Sequence, residues 1–319
     1  MIKLDRVSAG YRTTNGFVGV VDDVSLTIAD SEILGIAGES GCGKSTLIKV
    51  IYGQFDGTLA LISGSVEGRF CDDATGEMVS TSANHLSDLW WKQISYIPQG
   101  SMSLLNPVTR IRAQMMDSLP DAMRSTARAT AARAFEKFLA EMDLPSSVLN
   151  AYPHQLSGGM RQRVLVAMAA FFKPKLIIAD EPTTALDVVI QKKILLLLVE
   201  IQRRQRNAIV IVSHDLGVHY QITHRLAITY AGKIVEIGPT QDIFAAPRHP
   251  YTRALIGALP ILGDRTPRFG IAGQPPDLSR PEPGCRFASR CTNVGDICLQ
   301  VSPNLIERTE GHSVACHFA

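Results

Sequence analysis

The sequence lacks any apolar run long enough to cross a bilayer. The stretch Ile194-Leu195-Leu196-Leu197-Leu198-Val199 falls far short of the roughly 18 residues required, and Lys193 and Glu200 flank it. A membrane role would therefore have to come through partners, and a soluble chain is expected. Neither sign of charge dominates: 32 Lys and Arg face 30 Asp and Glu, for a net charge of +2. Such a balance offers no footprint for nucleic acid. No leader is visible at the start, where Met1-Ile2-Lys3-Leu4-Asp5-Arg6-Val7 reads as an alternating strand. A reducing compartment is then expected, in which disulfides do not persist. The six cysteines lack tight C-x2-C pairs. What remains is a globular composition, 45% apolar and 19% charged over 319 residues, enough for one large or two modest cores.

The most informative stretch is Gly38-Glu39-Ser40-Gly41-Cys42-Gly43-Lys44-Ser45, which reads G-x-x-x-x-G-K-S. The apolar run Ile33–Ala37 before it predicts a buried strand, and Thr46–Ile51 after it predicts the first turns of a helix. That strand–loop–helix context is the one a phosphate-binding loop requires. Its glycines let backbone N–H groups approach a polyphosphate, and the helix points its positive end at the same anion. Lys44 is expected to neutralise the β- and γ-phosphates and Ser45 to offer its hydroxyl to Mg²⁺. Upstream, Tyr11 either stacks on an adenine ring or is a plain turn tyrosine.

Other strand ends carry chemistry too. Ile94–Ile97 ends at Pro98-Gln99, and Gln99 has the amide to touch Mg²⁺ or an attacking water. Between Asn106 and Leu149 the spacing of Ala131, Phe135, Phe138, Leu139 and Met142 predicts helix, with Arg124, Arg128, Arg133 and Lys137 on a solvated face. Leu156-Ser157-Gly158-Gly159 opens a further helix with an N-capping serine and bare N–H groups, a second candidate anion site. Leu176-Ile177-Ile178-Ala179 is an apolar strand ending in Asp180-Glu181. There Asp180 would hold Mg²⁺ and Glu181 would polarise the water attacking the γ-phosphate. Asp187 precedes a helix from about Val188 to Arg206, and Ile209–Val212 ends at Ser213-His214. His214 is placed to hydrogen-bond the γ-phosphate.

In order and approximate spacing, these pieces resemble the ABC-type ATPases. Leu156-Ser157-Gly158-Gly159 is similar to that family's signature motif. Tyr11, Gln99, Asp187 and His214 match its A-, Q-, D- and H-loops. The resemblance covers residues 1 to about 240. Asn106-Pro107, Gly238-Pro239-Thr240, His249-Pro250-Tyr251-Thr252-Arg253-Ala254-Leu255, Gly284-Cys285-Arg286-Phe287 and Val314–Phe318 further resemble the ATPase subunits of oligopeptide and dipeptide importers. Ser101 departs from that group, which often has proline there. The resemblance implies an α/β P-loop NTPase. Its parts would be a RecA-like core, an antiparallel β subdomain, a helical subdomain at about 100–160 and an irregular Cys-rich extension over 241–319. It implies ATP and Mg²⁺, with Gly38, Ser40, Gly41, Cys42, Gly43, Lys44, Ser45 and Thr46 around the phosphates and Asp180, Glu181, Gln99 and His214 around the γ-phosphate. It also implies a second ATPase subunit, identical or paralogous, docked head to tail, so that Ser157, Gly158 and Gly159 complete the partner's site. Two transmembrane permease subunits and, indirectly, an extracytoplasmic binding protein would follow, with the chain peripheral on the cytoplasmic face of the membrane.

Other protein classes share parts of this pattern. Soluble ABC ATPases of DNA repair or translation carry a long coiled-coil insertion or tandem ATPase halves, and this chain has neither. A P-loop kinase or GTPase would not need the Ser157-Gly158-Gly159 signature or His214. The same importer group also moves nickel, glutathione and sugars, and the ATPase subunit does not touch the cargo. Finally, Cys285, Cys291, Cys298 and Cys316 are spaced C-x5-C-x6-C-x17-C after a segment holding Pro275, Pro276, Pro281 and Pro283. An irregular lobe with little core of its own gains from a metal staple. Four thiolates suit Zn²⁺ or a [4Fe–4S] cluster, and the spacing does not choose between them. Resemblance to the importer group implies the [4Fe–4S] cluster in a structural role. His317 is a weaker alternative ligand, and free or oxidised thiols are the alternative to any metal.

Overall fold

The computed structural model describes residues 1–14, 16–71, 78–100, 104–119, 128–260, 270–279 and 282–319. The basic residue Arg124, Ser101 and Pro281 lie outside them, as does the side chain of Arg128. Two compact units emerge: Met1–Ser87 with Ile211–Ala319, and Asp88–Val210.

In chain order the first unit begins with β1 (Ile2–Thr13), β2 (Gly16–Ile28) and β3 (Ile33–Ala37), then helix α1 (Lys44–Tyr52), β4 (Leu59–Cys71) and β5 (Met78–Ser82). Strands β2-β1-β4-β5 form a four-stranded antiparallel sheet. Tyr11 belongs to β1, opposite Val18, rather than to a turn. β3 is buried at all five residues, as an apolar run without alternation requires of a strand covered on both faces.

The second unit holds β6 (Ile94–Ile97), α2 (Ile111–Asp117), α3 (Arg128–Glu141), α4 (Gly158–Ala170), β7 (Leu176–Asp180) and α5 (Val188–Gln205). Its two strands run parallel, with Ile94 opposite Leu176 and Ile97 opposite Ala179. Phe135, Leu139 and Met142 of the α3 segment are buried, while Arg133 and Lys137 face solvent, in line with the helical spacing. Phe171 meets Phe135 and Phe138 at centroid distances of 5.0 and 5.8 Å.

Strand β8 (Ala208–Val212) carries the chain from the second unit back into the first. There follow α6 (Leu216–Ile222), β9 (Arg225–Tyr230), β10 (Lys233–Pro239), α7 (Thr240–Ala245), α8 (Pro250–Gly257), α9 (Asp296–Gln300), β11 (Ile306–Thr309) and β12 (His312–Val314). Ala231 and Gly232, at φ 48° and 83°, form the tight turn between β9 and β10. β3 pairs with β9 in parallel, and β9, β10, β12 and β11 continue antiparallel.

The tail is therefore not a lobe without a core. Its last strands extend the sheet beside β10, and Phe287 packs into a buried cluster with Tyr230 and Tyr251, the three ring centroids lying 4.6–5.4 Å apart. Ala37, Leu216, Ile228 and Ile243 share that cluster. The expected metal centre is not borne out. Among the described residues, which include all four tail cysteines, no group of three or more His, Cys, Asp or Glu could hold a metal ion. This overturns the [4Fe–4S] cluster and its zinc alternative alike. Physically, the tail is fastened by strand pairing and aromatic burial and needs no staple. Burial pushes the Cys285 and Cys291 thiols up. All six cysteines are free thiols.

Candidate active site

Within the first unit the phosphate loop leaves β3 at Ala37 and enters α1 at Lys44. Gly38, Gly41 and Gly43 have φ of 153°, 78° and 99°, values that L side chains avoid. A Cβ on Gly38 would lie 2.2 Å from the Thr229 carbonyl oxygen, so the loop cannot form with another residue there. Gly41 and Ser40 are exposed, as is Ser45. The N-terminus of α1 has no side-chain cap, which leaves its first-turn donors for an anion. Lys44, 7% exposed, donates from Nζ to the carbonyls of Gly38 and Glu39, both at 2.8 Å. Its charge is thus stored against the loop's own dipoles. Cys42 is buried beneath, with Sγ 3.1 Å from Thr229 Oγ1, and its carbonyl accepts from the Gly232 N–H.

These features fit a triphosphate: a glycine-shaped cradle, an uncapped helix start and a buried lysine. Ser45 opens to the same solvent-facing rim, where a hydroxyl can serve Mg²⁺. Tyr11 stands beside this helix, its hydroxyl 3.3 Å from Thr46 Oγ1 and Lys49 Nζ 5.9 Å from its ring centroid. His214, also in the first unit, is exposed just past β8. The backbone beside it is set by Asp215, whose N–H donates to Ser213 Oγ and whose carboxylate caps α6 at Gly217. Below lies His219, fully buried, donating from Nε2 to the Ser213 carbonyl at 3.1 Å. Burial pushes its pKa down to about 4, so it is a neutral support.

In the second unit, parallel pairing brings Gln99 and Asp180 to the same, carboxyl ends of β6 and β7. Gln99 is exposed. Asp180 is 3% exposed and accepts from the Tyr96 hydroxyl at 3.2 Å. Glu181 follows at φ 48°, a left-handed backbone that costs a non-glycine residue free energy and persists only where the surroundings hold it. Its Oε2 accepts from Thr184 Oγ1 at 2.7 Å. Asp187 caps α5, accepting from the Ile190 N–H. Ser157 caps α4 and accepts from the Met160 N–H. A Cβ on Gly159 would come within 2.7 Å of Ile190 Cγ2, so glycine there serves the packing of α4 on α5. Thus Ser157, Gly158, Gly159 and Asp187 sit at two helix starts of one unit.

Sequence reasoning passed over Glu39 and the residues that hold it. Its N–H donates to the Tyr251 hydroxyl at 2.9 Å, and Arg290 grips its carboxylate with both terminal nitrogens, at 2.7 and 3.0 Å. A usable signal was present: a carboxylate inside an anion-binding loop calls for a cation from elsewhere.

Comparison with known proteins agrees with this geometry. A family profile described as ABC transporter matches residues 21–184, and one described as the C-terminal region of oligopeptide/dipeptide transporters matches 235–298. The dipeptide transport ATP-binding protein DppD of Bacillus subtilis is 38% identical, the match covering 99% of this chain and 94% of that one. The oligopeptide transport ATP-binding protein OppD of Salmonella typhimurium is 37% identical over 95% of this chain and 89% of its own. Among solved structures, a dimeric ATP-binding cassette in a post-hydrolysis state, bound to ADP and Pi, is 26% identical. It has a TM-score of 0.60 and covers 75% of this chain and 99% of that chain.

Proposed function

The chain belongs to the ABC transporter family of ATP-binding proteins, and from that membership we propose that it is the ATP-hydrolysing subunit of a membrane importer of dipeptides or oligopeptides. The observation that carries the reading is the double match. The ATPase profile and the C-terminal profile of oligopeptide/dipeptide transporters fall on one chain, and the relatives named for dipeptide and oligopeptide transport align along nearly all of it. Residues 1–240 form the ATPase proper in this reading and 241–319 the importer-type extension.

The roles follow from chemistry. Lys44 neutralises the β- and γ-phosphates, the N–H groups over Gly41–Thr46 bind their oxygens, and Tyr11 carries the base. By the family resemblance Ser45, Gln99 and Asp180 would hold Mg²⁺, which would supply charge neutralisation on the phosphate oxygens. Glu181 takes the proton of the attacking water, and His214 binds the γ-phosphate. Ser157, Gly158 and Gly159, with Asp187, face the nucleotide of a second ATPase subunit, so ATP joins the two subunits and hydrolysis parts them. The segment Gln99–Pro107 passes the motion to two permease subunits. The chain sits on the cytoplasmic face of the membrane through them, and a binding protein delivers the peptide from outside. Glu181→Gln tests the central role. It is expected to bind ATP as the parent does, hydrolyse it roughly 100-fold more slowly, and accumulate the closed pair. Hydrolysis at the parental rate would overturn the assignment.

A further inference from the structure

The C-terminal extension reaches the phosphate loop directly, and both lie in the first unit. Arg290 is half-buried as a residue but its side chain is only 3% exposed, and it forms a two-pronged pair with Glu39, the second residue of the loop. Further contacts fix the guanidinium: the Ile271 carbonyl at 3.1 Å, the Ala272 carbonyl at 2.8 Å, the Tyr230 hydroxyl at 3.2 Å, and the Tyr230 and Phe287 rings at 5.7 and 6.0 Å. A side chain so heavily satisfied is a rigid post, not a solvated tether. Tyr251, fully buried, takes the Glu39 N–H, and so the backbone and the side chain of that residue are both held by the extension.

The consequence is electrostatic as well as mechanical. A carboxylate in a loop that receives a polyphosphate opposes the ligand's charge. Lys44 bonds the Glu39 carbonyl, not its carboxylate, so the described cation on that carboxylate is Arg290. We propose that Arg290, with Tyr251, is a positioning residue for ATP: the extension masks the Glu39 charge and holds the loop in its phosphate-accepting shape. The importer-type extension thereby sets the ATP affinity of the ATPase domain. This rests on the phosphate loop being the nucleotide site.

The test uses the full chain, with ATP affinity read by titration calorimetry and hydrolysis at saturating ATP read separately. Arg290→Ala is expected to weaken ATP binding about tenfold while the saturated rate changes by less than about twofold. Arg290→Lys keeps the charge but not the fork, and should fall between. Adding Glu39→Gln to Arg290→Ala removes the unmasked charge and should restore most of the affinity, which a merely structural role would not. Should Arg290→Ala fail to fold, Arg290→Lys and Tyr251→Phe still decide: both must weaken ATP binding with an unchanged saturated rate. Parental affinity in these variants, or a double variant as weak as Arg290→Ala, would overturn the proposal. Lys44→Ala separates the two readings, because unimpaired ATP binding there would refute the nucleotide site itself, whatever Arg290 does.

Discussion

At the scale of single residues, two buried histidines make the protein sensitive to mild acid. His219 beneath β3 and His249 at the start of α8 both have their pKa pushed down to about 4, chiefly by burial. For His249 the nearby Arg253 adds to the effect. An unfolded histidine takes up its proton near pH 6.5, whereas these resist until about 4. Protons therefore favour the unfolded chain between those values, and stability falls as pH drops from about 6.5 to 4. With two such sites the slope is at most about 3 kcal/mol per pH unit. Denaturant titrations at pH 7.5 and 5.5 should show the loss; equal stability at both would contradict it. The strand–loop–helix around Gly38–Ser45 was legible, because a phosphate-binding loop demands glycines, a lysine and a hydroxyl at fixed spacing. That Tyr11 lies within β1 was not legible, because Arg12 and Thr13 extend the hairpin with little apolar alternation.

At the scale of elements, the tail was the least legible part. β11, Ile306–Thr309, is exposed at every residue, and β12 spans only His312–Val314. Neither presents the period-two pattern by which a strand is recognised, so proline and cysteine drew attention instead and suggested a metal staple. Beside strand pairing, a buried polar cluster fastens these strands. Glu236 on β10 is fully buried and accepts from the N–H groups of Arg248 and His249 and pairs with His312 Nε2 at 2.8 Å. Removing the imidazole leaves a buried carboxylate short of a donor. His312→Ala should cost about 2 kcal/mol, visible as a lower melting temperature. A variant melting with the parent would show that the β10–β12 junction does not depend on this pair. By contrast β3, β7 and α5 were legible, because full burial in a sheet or a continuous helical stripe leaves a strong apolar signature.

At the scale of the whole molecule, the chain is built as one part of a larger machine. No helix among the described residues is long and apolar enough to cross a membrane, yet the family and its C-terminal region are those of transporters. Two helix starts, at Ser157 and Asp187, belong by this account to a second subunit's nucleotide, a role that one chain's sequence suggests only through motif order. The cargo is illegible for a physical reason: by this account the ATPase does not touch it, so its sequence carries no imprint of it. The measurement that tests this account most directly is purification of the tagged full-length chain from membranes of its own cells, with the co-purifying proteins identified. The account predicts two multi-span membrane proteins and a second ATPase subunit, retained together. Recovery of the chain from the membrane-free fraction, with no multi-span partner, would contradict it.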